Sequence, residues 1–256
     1  FSSYRHKFIK RKPAMKKYNL LIPMVGRGQR FRDEGFALPK QLIDVGHQQM
    51  IDWSMSCIKT EECNMIFVIR RDTVDNNQMD EVLRSKFGDD ITIVIAETET
   101  EGTVSSCLLA EEYIDNDLPL SITTLDMYFE PYFDPSDVDG DGTVLTFDAD
   151  NPAYSYSQLG EDGYVTKTAE KEVISNNAHA GLYHFGKGSD FVRLAKEMIK
   201  RNIRVKNEFY VAPLYNLFIE EGKKISILPI DRLWSMGTPD ERRHFLEEEY
   251  ADLQNR

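Results

Sequence analysis

The sequence lacks an apolar run of membrane-spanning length, and it lacks the pattern of a signal peptide. We therefore expect a cytoplasmic protein that does not insert into a membrane. Cysteine is scarce as well, because Cys57, Cys63 and Cys107 are odd in number and show no metal-ligand spacing. These thiols are predicted to be reduced and structural rather than part of a disulfide framework.

Positive charge is scarce outside the N-terminus. Residues 1–17 carry seven Lys or Arg and no acid, so the net charge of −12 on the whole chain leaves −19 on residues 18–256. Such an acidic body argues against nucleic-acid binding, which requires cations that neutralise phosphates. We interpret residues 1–17 as a disordered or added basic extension, because Met15 suggests a natural start. A nucleic-acid or membrane-surface tail is the alternative.

The most informative segment begins with an apolar run over residues 20–25, which predicts a buried parallel strand. Gly26 and Gly28 follow, and without Cβ atoms they let backbone N–H groups approach an anion. Arg30 and Lys40 supply two side-chain charges for a triphosphate. The segment thus predicts binding of nucleotide phosphates. Taken alone, the glycines are equally consistent with a purely conformational role at the end of a strand.

Two common nucleotide motifs are missing at this loop. Gln29 and Arg30 stand where a Walker loop would continue, and the third glycine of a dinucleotide fingerprint is absent. The polar, glycine-broken residues 31–39 predict a surface loop that folds over a bound nucleotide.

Apolar runs and helical periodicities alternate along the chain, which implies an α/β fold with a mixed, mostly parallel sheet. The predicted strands are residues 65–69, 91–95, 118–125, 143–147, two short strands flanking a turn at 160–163, 175–185 and 224–228. The predicted helices are residues 50–59, 79–87, about 102–113, 190–201, 208–222 and 239–253.

Asp126 follows the predicted strand at 118–125, and ligand sites in open α/β sheets lie beyond the carboxyl ends of strands. A single carboxylate there suits Mg²⁺, which fills its shell with water and substrate phosphate. The acidic segment 137–148 nearly matches a calcium loop. We interpret it as a turn, because a strand rather than a helix follows and its twelfth residue is Asp.

Five stretches, in this order, resemble the sugar-phosphate nucleotidyltransferase family. They are Gly26-x-Gly28-x-Arg30 followed after nine residues by Lys40, the Gly102-Thr103 turn, the Glu170-Lys171 pair, the Asn177-x-x-x-Gly181-Leu-Tyr-x-Phe185 strand, and Gly237-Thr238-Pro239. Residues 207–216 resemble a subgroup of bacterial capsule and surface-polysaccharide nucleotidyl- and cytidylyltransferases.

The resemblance implies a Rossmann-like (GT-A-like) three-layer α/β/α fold in a single domain over residues 18–256. Its nucleotide half would span about 18–135 and its acceptor half about 136–256. The implied enzyme joins an NTP (CTP, dTTP or UTP) and a small phosphorylated acceptor, with Mg²⁺, to give an NDP-linked product and pyrophosphate.

We expect a sugar 1-phosphate as acceptor. The nearest alternative is a cytidylyltransferase acting on a non-sugar such as phosphocholine or phosphoglutamine. A glycosyltransferase of related fold would need an Asp-x-Asp motif, which residues 125–127 lack. A non-catalytic homologue is disfavoured by the cations and acid present, and a homo-oligomer is left open.

The resemblance also assigns the site residues. The catalytic residues are Arg30, Lys40, Asp126 and Lys171, with Asp126 as the metal ligand. The nucleotide-binding residues are Pro23, Met24, Gly26, Arg27, Gly28, Gln41, Glu101, Gly102 and Thr103. The acceptor-binding residues are Glu170, Lys171, Asn177, Gly181 and Glu208. We interpret His179 as a wall residue, because an anionic phosphate nucleophile needs no base.

The sequence departs from the family pattern in two places. Ser235 stands where many members place a second metal-binding aspartate. Either Asp126 binds Mg²⁺ with phosphate and water alone, or another acid such as Glu208 takes part. Val25 and Gln29 replace the commoner Gly and Thr of the loop, which leaves the nucleotide open.

Overall fold

The alternating apolar runs form one large central sheet with helices on both faces. The structure, a computed structural model, describes residues 16–250. The predicted basic extension therefore lies outside the described residues, apart from Lys16 and Lys17. Within residues 16–250, no helix has the length and apolar character needed to cross a membrane.

The strands of the described region are β1 (Tyr18–Met24), β2 (Asp44–Val45), β3 (Gln48–Gln49), β4 (Cys63–Arg70), β5 (Thr92–Ala96), β6 (Leu120–Thr123), β7 (Met127–Glu130), β8 (Gly142–Asp148), β9 (Ser155–Leu159), β10 (Val165–Glu170), β11 (Asn177–Phe185), β12 (Ile225–Pro229) and β13 (Arg232–Ser235).

The α-helices are α1 (Gln29–Asp33), α2 (Met50–Ser56), α3 (Arg71–Asn77), α4 (Met79–Phe87), α5 (Thr103–Leu108), α6 (Glu111–Ile114), α7 (Gly188–Lys200), α8 (Leu214–Glu220) and α9 (Pro239–His244). Short 3₁₀ turns form at Lys40–Leu42 and Pro135–Asp137, and a π-helical turn at Phe245–Glu249 follows α9.

The central sheet has nine strands. β5, β4, β1 and β6 lie side by side and run parallel. β11 pairs antiparallel with β6 and with β8, and β12 pairs parallel with β8. The β9–β10 hairpin joins β11 at one bridge, and β7 pairs with β13 in a small separate sheet. The predicted α/β class with a mixed sheet is confirmed.

The two faces of the sheet are covered by two hydrophobic clusters because side chains alternate along each strand. In β1, Leu21 contributes to the cluster on one face, and Leu20 and Ile22 to the other. Helix α7 buries Phe191, Leu194, Ala195 and Met198, at the spacing of a single helical face. Each large side chain buried in this way contributes about 1.5–3 kcal/mol to folding.

A third cluster ties the C-terminal segment to the segment after β1. It contains Phe31, Trp53, Trp234 and Phe245, all buried. The centroid of the Trp53 ring lies 5.4 Å from that of Phe245. This packing holds the segment after β13 against the loop end of the sheet.

Several predicted elements are wrong in detail. The predicted surface loop at 31–39 begins inside α1, and Phe31 is buried in the third cluster rather than exposed. The predicted helix at 102–113 is interrupted after Leu108. Of the strand predicted at 118–125, only residues 120–123 are in a strand, which is β6.

The helix predicted over 208–222 begins only at Leu214. Pro213 disfavours the helical conformation of the residue before it, and the backbone of Phe209 is hydrogen-bonded to residues 101–104 instead.

Candidate active site

A cleft and a pocket open side by side beyond the carboxyl ends of the parallel strands. The larger, here called the loop cleft, has a volume of about 300 Å³. Its lining consists of residues at and after the end of β1 and after β5, with one residue of the segment before α8. They are Pro23, Val25, Gly26, Arg27, Glu99, Thr100, Gly102, Thr103, Ser106 and Glu208.

The smaller cavity, here called the tyrosine pocket, has a volume of about 190 Å³. It is lined by Thr103, Thr124, Asp126, Met127, Ala153, Tyr154, Ser155, Glu170, His179, Gly181, Tyr183, Tyr210 and Val211. Thr103 lines both cavities, so the two are neighbours.

The structure brings five of the predicted nucleotide-binding residues into the loop cleft: Pro23, Gly26, Arg27, Gly102 and Thr103. Gly28 lies beside Lys40, because a Cβ added there would be 3.3 Å from the Lys40 Cβ.

The remaining three predicted nucleotide-binding residues do not line the cleft. Met24 belongs to a core cluster, and Gln41 is buried in the 3₁₀ turn that contains Lys40. The Glu101 carboxylate pairs with Arg204, 3.0 Å away.

The predicted acceptor residues divide between the cavities. Glu170 and Gly181 line the tyrosine pocket, whereas Glu208 lines the loop cleft. Asn177 lies outside the lining of both, where its side-chain amide donates to the Ser157 carbonyl at 3.2 Å.

Lys40 and Asp126 form an ion pair between the glycine loop and the tyrosine pocket, with 2.8 Å from Nζ to Oδ2. Burial acts to raise the pKa of the Asp126 carboxyl, but the Lys40 ammonium and hydrogen bonds outweigh burial and lower the pKa below its usual value. Asp126 is therefore ionised near neutral pH.

The closing segment after β13 lies directly on Asp126. The Met236 N–H donates to the Asp126 carbonyl at 2.7 Å. A Cβ added at Gly237 would come within 2.9 Å of the Asp126 Oδ2, so this position has room only for glycine beside the carboxylate.

A second cation, Lys171, lines neither cavity but contacts Tyr210, which lines the tyrosine pocket. The Lys171 Nζ donates to the Tyr210 hydroxyl and lies 4.2 Å from the centroid of the Tyr210 ring. The Ser155 hydroxyl donates to Glu170, and burial raises the pKa of the Glu170 carboxyl. Lys171 is thus positioned at this pocket through Tyr210 and not through a close ion pair, since its distance to Glu170 is 4.0 Å.

Arg30 is exposed on α1, and within residues 16–250 no hydrogen bond or ion pair holds its side chain. It contributes a positive charge that acts on the Tyr210 hydroxyl across the site. Because no protein group holds it, the Arg30 guanidinium can reorient toward an anionic ligand.

The acidic side chains of the site fit Mg²⁺ only through Asp126. In the described part of the chain, no group of three or more His, Cys, Asp or Glu side chains is arranged to hold a metal ion. The Oδ1 atom of Asp126, however, is buried and makes no hydrogen bond of good geometry, although the nearby Thr124 hydroxyl helps to lower the pKa of the carboxyl. One free carboxylate oxygen fits an ion that takes one carboxylate and completes its shell with water and phosphate.

The backbone of residues 101–104 is joined to the segment before α8, and this junction separates the two cavities. The Phe209 N–H donates to the Glu101 carbonyl at 2.8 Å, and the Val104 N–H donates to the Phe209 carbonyl at 3.0 Å. On either side of Phe209, Glu208 lines the loop cleft and Tyr210 lines the tyrosine pocket.

Sequence reasoning missed eight residues of the tyrosine pocket, which are Thr124, Met127, Ala153, Tyr154, Ser155, Tyr183, Tyr210 and Val211. Thr124 had a usable signal, because it lies two residues before Asp126 at the end of a strand. The three tyrosines come from separate segments, and nothing local to each predicts that they meet.

Comparison with solved structures supports the same fold. The chain resembles a nucleoside-diphosphate-sugar pyrophosphorylase from Vibrio cholerae RC9, with a TM-score of 0.76 and 23% identity over 90% of this chain and 100% of that one. It also resembles the inositol-1-phosphate CTP transferase from T. maritima, with a TM-score of 0.72 and 14% identity over 94% of this chain and 96% of that one. At these identities the likeness concerns the fold alone.

No curated protein matches the sequence. A family model described as nucleotidyl transferase, however, matches residues 21–210, a range that contains the glycine loop, Asp126 and the Glu170-Lys171 pair. The chain therefore belongs to the nucleotidyl transferase family and is a nucleotidyltransferase enzyme.

Proposed function

We propose that the enzyme joins an NTP to a sugar 1-phosphate, giving an NDP-sugar and pyrophosphate. The observation that carries this proposal is the adjacency of the loop cleft and the tyrosine pocket, with the Lys40–Asp126 pair between the glycine loop and the pocket. Two neighbouring sites with cations on both sides suit the transfer of a nucleotidyl group between two phosphates.

The proposed reaction is an in-line displacement. An oxygen of the acceptor phosphate forms a bond to the α-phosphorus, the bond from that phosphorus to the bridging oxygen breaks, and its electron pair leaves with pyrophosphate. The acceptor phosphate is already anionic near neutral pH, so no general base is required. Catalysis would therefore depend on positioning and charge stabilisation.

Three cations would divide the negative charge. Arg30, unheld at the rim, would bind the outer phosphates of the NTP. Lys40, whose stem packs against Gly28, would neutralise the α-phosphoryl group. Lys171, held by Tyr210, would bind the acceptor phosphate.

Mg²⁺ is proposed as the cofactor, held by the free Oδ1 of Asp126. When bound, it would supply positive charge that neutralises the phosphate oxygens. Glu208 lines the loop cleft, so any part it takes in metal binding would come from the nucleotide side.

A second candidate is a CTP-dependent cytidylyltransferase that uses phosphocholine or phosphoglutamine. The three tyrosine rings near Glu170 favour it, because aromatic faces attract a quaternary ammonium group. The resemblance of residues 207–216 supports placing either activity in cytoplasmic synthesis of capsule or surface polysaccharide precursors.

A pyrophosphate-release screen tests the proposal. ATP, CTP, dTTP and UTP would each be combined with Mg²⁺ and with glucose 1-phosphate, phosphocholine or phosphoglutamine. We expect release that requires both an NTP and an acceptor. Absence of release from every combination would contradict the proposal.

Two variants test the assigned residues. Lys40→Ala and Asp126→Ala should lower kcat by about 10²–10³-fold, the usual effect of removing a group that stabilises transition-state charge. The matched control is Lys59→Ala. Lys59 pairs with Asp134 in an ion pair of similar exposure, but the pair lies at the other end of β1, outside both cavities. Near-normal turnover by Lys40→Ala would rule out its assigned role.

A further inference from the structure

The glycine loop after β1 carries two backbone N–H groups that bond to nothing in the protein. Within residues 16–250, neither the Gly26 N–H nor the Gly28 N–H donates to another protein group. Gly26 lines the loop cleft, and no protein atom lies within 4 Å of a Cβ added to it. Backbone donors beside open space are suited to an anion that arrives with a ligand.

The carbonyl groups that precede these two glycines are, in contrast, each bonded to an arginine. The Arg70 Nη1 donates to the Val25 carbonyl at 3.3 Å. The Arg32 Nε donates to the Arg27 carbonyl at 3.2 Å. In a trans peptide, the C=O of one residue and the N–H of the next point in opposite directions. Each arginine therefore turns the N–H of the following glycine away from itself.

The two arginines line a cavity next to the loop cleft, here called the arginine cavity, with a volume of about 360 Å³. Arg27 lines both this cavity and the loop cleft, so the two are neighbours. Gly26 lines only the loop cleft. Because the Val25 carbonyl is held toward the arginine cavity, the Gly26 N–H is directed to the side of the loop cleft.

Arg70 is itself fixed by its other nitrogen atoms. Its Nε and Nη2 donate to the two carboxylate oxygens of Asp72 at 2.6 and 2.7 Å, and its side chain is only 6% exposed. A bidentate pair of this kind fixes the plane of the guanidinium, and with it the direction of Nη1. The backbone pairing of β1 with β4 ends at Met24 and Ile69. The side chain of Arg70, the last residue of β4, thus holds the next carbonyl along the chain.

The charge of Arg70 is matched by that of its partner. The hydrogen bond from Arg70 lowers the pKa of the Asp72 carboxyl below its usual value, so Asp72 is ionised near neutral pH. The pair therefore adds no net charge that would attract a phosphate. What Arg70 contributes to the loop is the orientation of a peptide group.

We propose that Arg70 and Arg32 are positioning residues of the glycine loop. By holding two carbonyls back, they direct the N–H groups of Gly26 and Gly28 toward the phosphates of a bound NTP. This inference deepens the proposed function and rests on its assignment of the NTP to the loop cleft. Because the loop is oriented before the nucleotide arrives, binding does not include the free-energy cost of ordering it.

Arg70→Met tests the kinetic consequence, because it removes the bond to the Val25 carbonyl and keeps an apolar stem of similar length. We expect kcat/KM for the NTP to fall by about 10–100-fold, as for the loss of one oriented hydrogen bond to a charged group. The KM for the acceptor identified by the pyrophosphate-release screen should be unchanged, since the glycine loop does not line the tyrosine pocket.

The matched control is Arg71→Met. Arg71 is the next residue along the chain, lines the same arginine cavity and makes the same kind of bidentate pair, with Glu97 at 3.1 and 2.7 Å. It makes no bond to the glycine loop. Its substitution should leave kcat/KM for the NTP within about threefold of the wild type. Equal losses in Arg70→Met and Arg71→Met would overturn the inference, since they would reflect the charge of the cavity alone.

A binding measurement separates this inference from the proposed reaction. The amide proton resonances of Gly26 and Gly28 would be followed during titration with the α,β-methylene analogues of CTP, dTTP and UTP. We expect both resonances to move downfield in the wild type and in Arg71→Met. At saturation, Arg70→Met should reduce the shift of Gly26 more than that of Gly28. Arg32→Met, at an exposed position on α1 where the fold tolerates it, should do the reverse.

The outcomes are distinct. The paired changes in shift without pyrophosphate release would support loop positioning while contradicting the proposed transfer. Release together with near-normal kcat/KM in Arg70→Met would leave the transfer intact and overturn loop positioning. The same holds if no analogue shifts either glycine in the wild type, or if each variant reduces both shifts equally. Should Arg70→Met not fold, Arg32→Met alone decides: a loss confined to Gly28 supports the inference, and an equal loss at both glycines overturns it.

Discussion

The two carboxylate oxygens of Asp126 have different surroundings. Oδ2 accepts from Lys40 at 2.8 Å, whereas Oδ1 is buried and, among the described residues, has only the Thr124 hydroxyl nearby, without a hydrogen bond of good geometry. Both side chains of the ion pair are about one-fifth exposed, with values of 21% and 22%, so a substrate phosphate can approach the Lys40 ammonium from the solvent side.

Ser235 lies where a second carboxylate could reach the same site. In the β7–β13 pairing it stands opposite Met127, the residue after Asp126. We predict that Ser235→Asp lowers the Mg²⁺ concentration for half-maximal pyrophosphate release by about tenfold, which corresponds to roughly 1.4 kcal/mol of added binding free energy. The uncharged Ser235→Asn is the control and should show no such fall. An unchanged or higher requirement for Mg²⁺ in the aspartate variant would exclude this position as a ligand site.

At the scale of elements, the wall between the two cavities depends on backbone contacts rather than on side chains. The turn before α5 is hydrogen-bonded to Phe209 on both sides of Gly102. Gly102 has a φ of +118°, and a Cβ there would lie 2.5 Å from the Phe209 nitrogen. Glycine is therefore necessary for two separate reasons. The positive φ would strain a residue with a side chain, and the Phe209 backbone leaves no room for a Cβ atom.

Gly102→Ala and Gly88→Ala separate these reasons. Gly88 has a similar conformation, with φ 89° and ψ 173° against φ 118° and ψ 177° at Gly102, but no atom lies within 4 Å of its added Cβ. We predict that Gly88→Ala costs about 1–3 kcal/mol of unfolding free energy from strain alone. Gly102→Ala should cost more, and it should also raise the KM for the NTP. Urea unfolding and steady-state kinetics check this, and equal effects of the two substitutions would contradict it.

Elements with a local signal could be predicted from the sequence. The apolar run of β1 and the helical face of α7 each depend on neighbouring residues, and the structure contains both. The strand-end rule likewise predicted a polar site at Asp126, which lines a pocket.

Features that depend on distant pairing could not be predicted. The β7–β13 sheet joins segments about a hundred residues apart, and neither strand has a strong alternating pattern. The start of α8 is set by the bonds of Phe209 to residues 101–104, which overrode the apolar periodicity of residues 208–222. The unpartnered nitrogen of His179 is visible only once β9 and β11 are paired.

At the scale of the whole molecule, β11 connects the parallel and antiparallel parts of the sheet. It pairs with β6, β8 and β9, and it carries two buried histidines, His179 and His184. Desolvation lowers the pKa of His184 from 6.5 to about 4. A protonation event at the centre of the sheet is therefore coupled to the folding of the entire domain.

The direction of this coupling follows from proton binding. Between pH 6.5 and about 4, the unfolded chain binds a proton at residue 184 that the folded chain does not, so stability falls as the pH is lowered through this window and is unaffected well above it. We predict that the wild type loses about 2 kcal/mol more unfolding free energy than His184→Asn when the pH is lowered from 7 to 5. Urea unfolding of both proteins at the two pH values measures this difference, and any constant cost of the substitution cancels. Equal losses in the two proteins would mean that His184 is protonated in the folded state at pH 5. If the double variant with His179→Asn loses even less unfolding free energy between pH 7 and 5 than His184→Asn, the same coupling extends to the second buried imidazole.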